Sequence, residues 1–261
     1  MTNKRAATVA LLLLAAVAAR AAPPVELEQL TWTELRERVQ AGTRIALVPL
    51  GGTEQNGPHM VLGKHNVRAR VLAVRIAQEL GNAVVAPVVA YVPEGGIEPP
   101  QAHMRWPGTL SIPEPAFEAM LDGTARSLCH AGLRDVVLLP DHGGYLKSIE
   151  RVASRPGRPA GCRVHALADY YRVTQGEYVQ ALKSRGFKAE EIGTHAGLAD
   201  TSLALAADAS LVRRERLAQT GPGEGVAGDP RRASVDLGHI GLEQVVVTSV
   251  AAIRALTRGA P

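Results

Sequence analysis

Short, continuously apolar runs alternate along the chain with segments in which apolar residues recur at helical spacing. Four of the runs are predicted to be strands, at residues 44–50, 83–92, 136–139 and 163–168. Helices are predicted between and after them, at residues 31–41, 67–80, 115–131, 146–153, 170–185, 194–207 and 238–258. Strands that are apolar on both faces and alternate with helices are typical of a parallel sheet covered by helices. The pattern therefore predicts an α/β fold with a mainly parallel central sheet.

The first 21 residues differ in character from the rest of the chain. Lys4 and Arg5 precede an apolar run over residues 6–19, and the small residues Ala19 and Ala21 follow. The run is shorter than the roughly 20 residues that a membrane span needs, so it is typical of a cleaved secretory signal, with an uncleaved anchor as the alternative. We therefore expect a signal peptide over 1–21, one domain over 22–261, and an exported mature chain, periplasmic or secreted, with no membrane contact after cleavage.

The charge balance gives no reason to expect a nucleic-acid partner. Of the 29 basic residues, Lys4, Arg5 and Arg20 lie in the predicted signal, which leaves 26 basic residues against 25 acidic ones. The high isoelectric point of the whole chain therefore comes largely from the signal. No basic stripe with interleaved aromatic residues, as nucleic-acid-binding surfaces have, is present either. We expect a small-molecule partner instead.

The chain has two cysteines, Cys129 and Cys162. Their spacing forms no CxxC pattern and no zinc knuckle. In an oxidising compartment they could form a disulfide, or they could remain two thiols on neighbouring elements, and the sequence leaves both open.

Polar side chains are concentrated directly after two of the predicted strands, in residues 51–66 and 140–145. In parallel α/β folds, binding sites lie at the carboxyl ends of the strands. Carboxylates and imidazoles are the usual ligands of zinc and related metals. Candidates lie in these two segments and in a third segment at an element end, and they are Glu54, His59, His65, His142, His195 and Asp200. The chain has no P-loop and no G-x-S-x-G nucleophile elbow, which disfavours phosphate binding and serine hydrolysis.

Three segments resemble, in order, the signatures of the creatininase (creatinine amidohydrolase-like) family. Residues 49–65 resemble P-x-G-[ST]-x-E-Q-H-G-P-H-L-P-L-x-T-D, residues 140–145 resemble N-G-H-G-G-N, and residues 195–202 resemble H-A-G-x-x-E-T-S. The resemblance implies a three-layer α/β/α fold and assembly into a homo-oligomer. It also implies hydrolysis of amide-type C–N bonds, often in cyclic or formyl amides, with a pair of divalent metal ions.

Among the positions that depart from these signatures, four concern the predicted site. Asn56 stands in place of the first His, His65 in place of the final Asp, Tyr145 in place of Asn, and Asp200 in place of Glu. In the family, as the resemblance implies, that first His and final Asp help to hold the metal pair. A carboxylate can bridge two cations, whereas a neutral imidazole offers one lone pair. We therefore expect one metal ion here more readily than two.

The hypothesis from the sequence is a single divalent ion bound by Glu54, His65 and His142. Zinc is the first choice, with manganese or iron as alternatives, and a water activated by the metal would attack the carbonyl carbon of the substrate. Asp200 or His195 would act as general base or orient the other groups, and His59 would fix a ligand or the substrate.

Two other functions remain open on the sequence alone. One is an exported binding protein of the same fold that has lost the metal pair, because fold does not imply function. The other is a metal-dependent hydrolase of lactones or other cyclic acyl compounds. The long connection 93–113, with His103, Arg105 and Trp106, would either shape the substrate pocket or form an oligomer contact.

Overall fold

The structure is a computed structural model that describes residues 24–221 and 223–258. The predicted signal over 1–21 lies outside the described residues. Four strands form one sheet in the order β2-β1-β3-β4, and every neighbouring pair is parallel. These strands are β1 (Ile45–Leu50), β2 (Ala83–Val85), β3 (Asp135–Pro140) and β4 (Arg163–Ala166). The predicted α/β fold with a parallel sheet is confirmed.

Nine α-helices accompany the sheet in the described residues. They are α1 (Trp32–Gln40), α2 (Lys64–Leu80), α3 (Glu114–His130), α4 (Leu146–Ala153), α5 (Ala168–Gln175), α6 (Glu177–Lys183), α7 (Ala189–Ile192), α8 (Leu198–Ala207) and α9 (Val235–Thr257). A capping box begins α1, since the Thr31 side chain accepts from the Glu34 backbone and the Glu34 side chain accepts from the Thr31 backbone.

Several elements differ in their bounds from the prediction, such as α8, which begins at Leu198 and not at residue 194. Three of the differences have a clear physical cause. Helix α2 begins at Lys64, three residues earlier than expected, because its first polar side chains are paired with buried acidic groups. Strand β2 ends at Val85, shortly before Pro87, which has no N–H for a sheet hydrogen bond. The helix predicted over 170–185 is divided at Gly176, which adopts a non-helical conformation with φ −106° and ψ −91°.

The two faces of the sheet pack into two separate apolar layers. Ile45, Leu47 and Leu139 face a layer that includes residues of α2, α5, α6, α8 and α9. Alternate residues such as Ala46 and Val48 face the other layer, formed mainly by α3 and α4 with part of α1. The predicted three-layer α/β/α architecture is therefore confirmed.

The long helix α9 is a core helix. By length and composition alone it could cross a membrane, with a mean hydropathy of 1.4 over its most apolar window. However, Leu242, Val245 and Ile253 are almost completely buried and belong to the layer that covers the sheet.

Cys129 and Cys162 form a disulfide, which resolves the alternative that the sequence left open. The bond joins the end of α3 to the residue that precedes β4.

Strands β1 and β3 lie in register, so that Leu50 is paired with Pro140. The polar segments that follow the two strands therefore leave the sheet side by side. This pairing brings residues 51–66 and 140–145 together.

Candidate metal centre

The loop that follows β1 carries Glu54 into the interior. Gly52 in this loop has φ +146°, and a Cβ atom at that position would lie 2.5 Å from Glu94 Oε1, so the position requires glycine. Asn56 stabilises the loop, because its side-chain amide donates to the carbonyl oxygens of Glu54 and Val61 at 2.9 and 3.1 Å. Glu54 consequently has no exposed surface.

The end of β3 supplies two consecutive side chains, Asp141 and His142, whose position depends on Tyr145. The buried Tyr145 hydroxyl lies 2.8 and 2.9 Å from the carbonyl oxygens of Leu50 and Gly51, to which it can donate. It also accepts a hydrogen bond from the backbone N–H of His142 at 3.1 Å. Tyr145 therefore ties the end of β3 to the end of β1.

The first turns of α2 place His65 between two carboxylates. His65 Nε2 lies 2.8 Å from Glu54 Oε1, and Nδ1 lies 2.6 Å from Asp141 Oδ2. Burial and the Lys64 charge act to lower the pKa of His65, but its hydrogen bonds to the two carboxylates outweigh them and raise it. In this arrangement both ring nitrogens of His65 face carboxylate oxygens within hydrogen-bonding distance.

Lys64 and Arg68, also on α2, reach Asp200 at the start of α8. The Lys64 ammonium forms an ion pair with Asp200 Oδ2 and lies 3.7 Å from Glu54 Oε1. Arg68 Nη1 lies 2.8 Å from Asp200 Oδ1, and Arg68 Nε lies 3.0 Å from Asp141 Oδ2. These contacts define an ion-pair cluster that consists of Glu54, Lys64, His65, Arg68, Asp141 and Asp200.

The ion-pair cluster keeps its carboxylates ionised. Burial acts to raise the pKa of Asp141 and Asp200, but the charges around them outweigh it, chiefly Arg68 at Asp141 and Lys64 at Asp200. Burial has the same effect on Glu54, whose pKa is nevertheless held low by the hydrogen bond and charge of His65. The cluster is therefore a set of fixed and mutually neutralising charges.

On the other side of Glu54, four side chains direct potential ligand atoms toward one point. Glu54 Oε2 lies 3.2 Å from His103 Nε2 and 3.9 Å from His142 Nε2. Glu94 Oε2 lies 3.9 Å from His142 Nδ1. One atom from each residue fits within 4.8 Å of all the others. We name Glu54, Glu94, His103 and His142 the ligand cluster.

His103 reaches this cluster because its loop, 93–113, is fastened to the loop after β1. The Leu110 N–H donates to the Thr53 carbonyl oxygen at 2.9 Å. The Thr109 hydroxyl accepts from the Gln55 N–H at 3.1 Å and donates to the His103 carbonyl oxygen at 2.8 Å. The loop is thus positioned by hydrogen bonds on both sides of His103 and Glu54.

The residues of the ligand cluster fit a divalent cation. Glu54 Oε2 and both carboxylate oxygens of Glu94 are buried without a hydrogen-bond partner in the described part of the chain. Burial and the nearby Glu54 charge raise the pKa of Glu94 to about 8. Burial lowers the pKa of His142 to about 3, so its imidazole is neutral at pH 7. These two buried carboxyl groups and two imidazoles, with no lysine or arginine side chain among the four, form a suitable donor set for zinc or manganese.

The three predicted catalytic residues have different surroundings. Asp200 is held in the ion-pair cluster. His195 also lies beside Glu54, with its Nδ1 atom 3.8 Å from Glu54 Oε1. His59 is completely buried, and its Nε2 atom lies 2.9 Å from the Thr201 hydroxyl on α8.

Glu94, Lys64 and Arg68 were not among the candidates from the sequence. Glu94 comes two residues after the predicted strand 83–92. It therefore satisfies the rule that sites lie at the carboxyl ends of parallel strands, which also indicated Glu54. Lys64 and Arg68 are four residues apart, a spacing that places both on one face of a helix.

Comparisons with known proteins agree with this fold. The family model for creatinine amidohydrolase, Creatininase, matches residues 28–253. Creatinine amidohydrolase of Pseudomonas putida is 30% identical over 205 residues, which are 74% of this chain and 76% of that protein. The mycofactocin precursor peptide peptidase of Mycolicibacterium smegmatis, strain ATCC 700084 / mc(2)155, is 32% identical over 137 residues, 49% of this chain and 53% of that protein.

A similar solved structure is described as a mutant creatininase of Zn-Zn type. It has a TM-score of 0.72 and 26% sequence identity, and the match covers 91% of this chain and all of the other. The family model covers most of the chain, and the Pseudomonas relative matches about three quarters of it. The chain therefore belongs to the creatininase family and is a hydrolase of its amidohydrolase type.

Proposed function

We propose that this chain hydrolyses a C–N amide bond, of the cyclic amide or formamide type, with a divalent metal ion held by Glu54, Glu94, His103 and His142. The observation that carries the proposal is the set of three buried, unpartnered carboxylate oxygens on Glu54 and Glu94. This ligand set replaces His65 of the sequence hypothesis with Glu94 and His103, because both nitrogens of His65 face carboxylates. A divalent ion there would polarise the substrate carbonyl and lower the pKa of water.

His195 is placed to move a proton beside Glu54. Its Nε2 atom lies 3.0 Å from both the Gln55 carbonyl oxygen and the Gln55 side-chain nitrogen, and in the tautomer with the proton on Nε2 it donates to the carbonyl oxygen. Burial, followed by the Lys64 charge, lowers the pKa of His195 to about 4, so the ring is neutral at pH 7. The Nδ1 lone pair then faces the site and can accept a proton. Asp200 serves instead to hold Lys64 and Arg68, since both of its oxygens are already paired.

Cavities border the ligand cluster on two sides. One of about 470 Å³ is lined in part by Glu94, His103 and His142. Another of about 380 Å³ is lined in part by His103, Trp106 and His195. Both sizes suit a small-molecule substrate. Their position supports the expectation that loop 93–113 shapes the pocket, and the creatinine named for the Pseudomonas relative is one candidate substrate class.

Chelator-reversible hydrolysis tests the proposed function. The purified protein should hydrolyse members of a panel of cyclic amides and formamides, lose activity after dialysis against a chelator, and regain it with zinc or manganese. His142→Ala should lower activity at least about 100-fold, whereas His239→Ala, at an exposed histidine of α9, should leave it unchanged. Activity that persists without metal, or that is confined to a lactone panel, would contradict the proposal.

Export of the mature chain is also a proposal. The disulfide between Cys129 and Cys162 supports it, because such bonds persist mainly in oxidising compartments. Fractionation of cells that express the full-length chain would test it. Protein that stays in the cytoplasm with two free thiols would count against export.

A further inference from the structure

Lys64 is buried at a place where a lysine charge is costly. Its side chain is only 1% exposed, and its ammonium lies between Asp200 and Glu54. Lysine is almost never buried so completely unless its charge is compensated. The position of Lys64 on the inner face of α2 is therefore part of the site and not a surface feature.

The ammonium is held in one place by its neighbours. Asp200 Oδ2 also accepts from the Ala196 N–H at 3.0 Å, and Asp200 Oδ1 is fixed by Arg68 at 2.8 Å. With Asp200 fixed, Lys64 has a defined position 3.7 Å from Glu54 Oε1. The Lys64 ammonium thus lies on the side of Glu54 that faces away from the ligand cluster.

The ion-pair cluster leaves no carboxylate oxygen for another cation. His65 donates to Glu54 Oε1, and the oxygens of Asp141 and Asp200 face His65, Arg68 or Lys64. Within the described part of the site, the carboxylate oxygens without a partner are Glu54 Oε2 and those of Glu94, all in the ligand cluster. A second metal ion beside Glu54 would have to displace the Lys64 ammonium.

We propose that the Lys64 ammonium, held by Asp200 and Arg68, takes the place of a second metal ion beside Glu54, so that this chain binds one divalent ion. The inference rests on the proposed function and specifies its metal site. It distinguishes this chain from the related creatininase that is described as Zn-Zn type. Lys64 acts as a positioning residue here, because its ammonium lies beside Glu54 Oε1 while Glu54 Oε2 faces the other metal ligands.

Metal counting tests the inference directly. Metal-free protein is loaded with an excess of zinc, passed through a desalting column and analysed by mass spectrometry for zinc per chain. The wild type should retain about one ion. Lys64→Met should retain about two, because it removes the positive charge between Asp200 Oδ2 and Glu54 Oε1, beside the His195 imidazole. Lys64→Arg, which keeps the charge, is the matched control and should retain about one.

Two ions in the wild type, or only one in a folded Lys64→Met variant, would overturn the inference while leaving the proposed function intact. No ion in the wild type would overturn both. Paramagnetic resonance of the manganese-loaded wild type gives a second measurement that does not depend on the variant folding. An uncoupled six-line signal supports a single ion, and the spectrum of a spin-coupled pair overturns the inference.

Discussion

The two carboxylate oxygens of Glu54 face two regions in which buried acidic groups have different surroundings. In the ion-pair cluster, Glu54 Oε1, Asp141 and Asp200 all face basic side chains. In the ligand cluster, Glu54 Oε2 and the Glu94 oxygens lie near His103 and His142 but have no hydrogen-bond partner in the described part of the chain. Buried charge that is paired contributes to a defined native structure, whereas unpaired buried charge opposes folding until a cation arrives.

This difference separates the contributions of the two regions. The ion-pair cluster is complete within the chain, so changes in it should lower stability whether or not metal is present. The ligand cluster is incomplete without a cation, so changes in it should affect metal binding more than the stability of the metal-free chain. Three substitutions test this separation.

Arg68→Met should have the largest effect on stability. It leaves Asp141 without a guanidinium partner and Asp200 with Lys64 alone, and breaking a buried pair in this way costs about 3–5 kcal/mol. The free energy of unfolding, measured by urea denaturation of metal-free protein, should fall by that amount. Arg70→Met is the control on the same helix, because Arg70 is 54% exposed in its pair with Glu26, and it should cost less than about 1 kcal/mol. Equal effects of the two changes would refute the comparison.

The ion pairs of Arg68 also could not be predicted from the sequence. The fold followed from local patterns, since apolar runs and helical spacing depend on neighbouring residues. Glu54 and His142 followed from the rule that sites lie after parallel strands. The ion-pair cluster instead joins α2, β3 and α8. No local pattern specifies which carboxylates a helix residue will meet, so the sequence did not indicate that both nitrogens of His65 face carboxylates.

Glu94 was missed for a different reason. Its strand was predicted to extend to Val92, but β2 ends at Val85, and the residues after it were treated as one long connection. The residue that faces Glu94 Oε1 is Gly52, on another loop. A turn can require a glycine for several reasons, and only the structure shows that Gly52 leaves room for the Glu94 carboxylate.

Tyr145→Phe tests the connection between the two regions, because Asp141 belongs to the ion-pair cluster and His142 belongs to the ligand cluster. Without the hydroxyl, the His142 N–H and the Gly51 carbonyl lose the partner that the structure shows for them. The expected cost is about 2 kcal/mol in the free energy of unfolding, together with weaker zinc binding by calorimetry. Tyr91→Phe, at a tyrosine that is 59% exposed, serves as the control. A stability loss with unchanged zinc affinity would show that Tyr145 does not position His142.

Glu94→Gln should have the smallest effect, but with the opposite sign. Burial and the nearby Glu54 charge raise the pKa of Glu94 to about 8, so its carboxyl group must take up a proton near neutral pH when the metal-free chain folds. An amide is neutral without that proton and can donate a hydrogen bond to Glu54. The metal-free protein should therefore gain about 1 kcal/mol of stability. Zinc should then stabilise the variant less than the wild type, because one charged ligand is lost and the dissociation constant rises at least about tenfold.

Thermal unfolding with and without zinc measures both effects in one experiment. The wild type should have the lower melting temperature without metal and the higher one with saturating zinc, so the order of the two proteins reverses. Glu98→Gln, on the same loop but exposed, should show no reversal. If Glu94→Gln destabilises the metal-free protein, then Glu94 is already stabilised within the chain and the two sides of Glu54 do not differ as described. A reversal requires that Glu94 is unfavourable in the metal-free fold and favourable once a cation is bound, which is the property expected of a metal ligand.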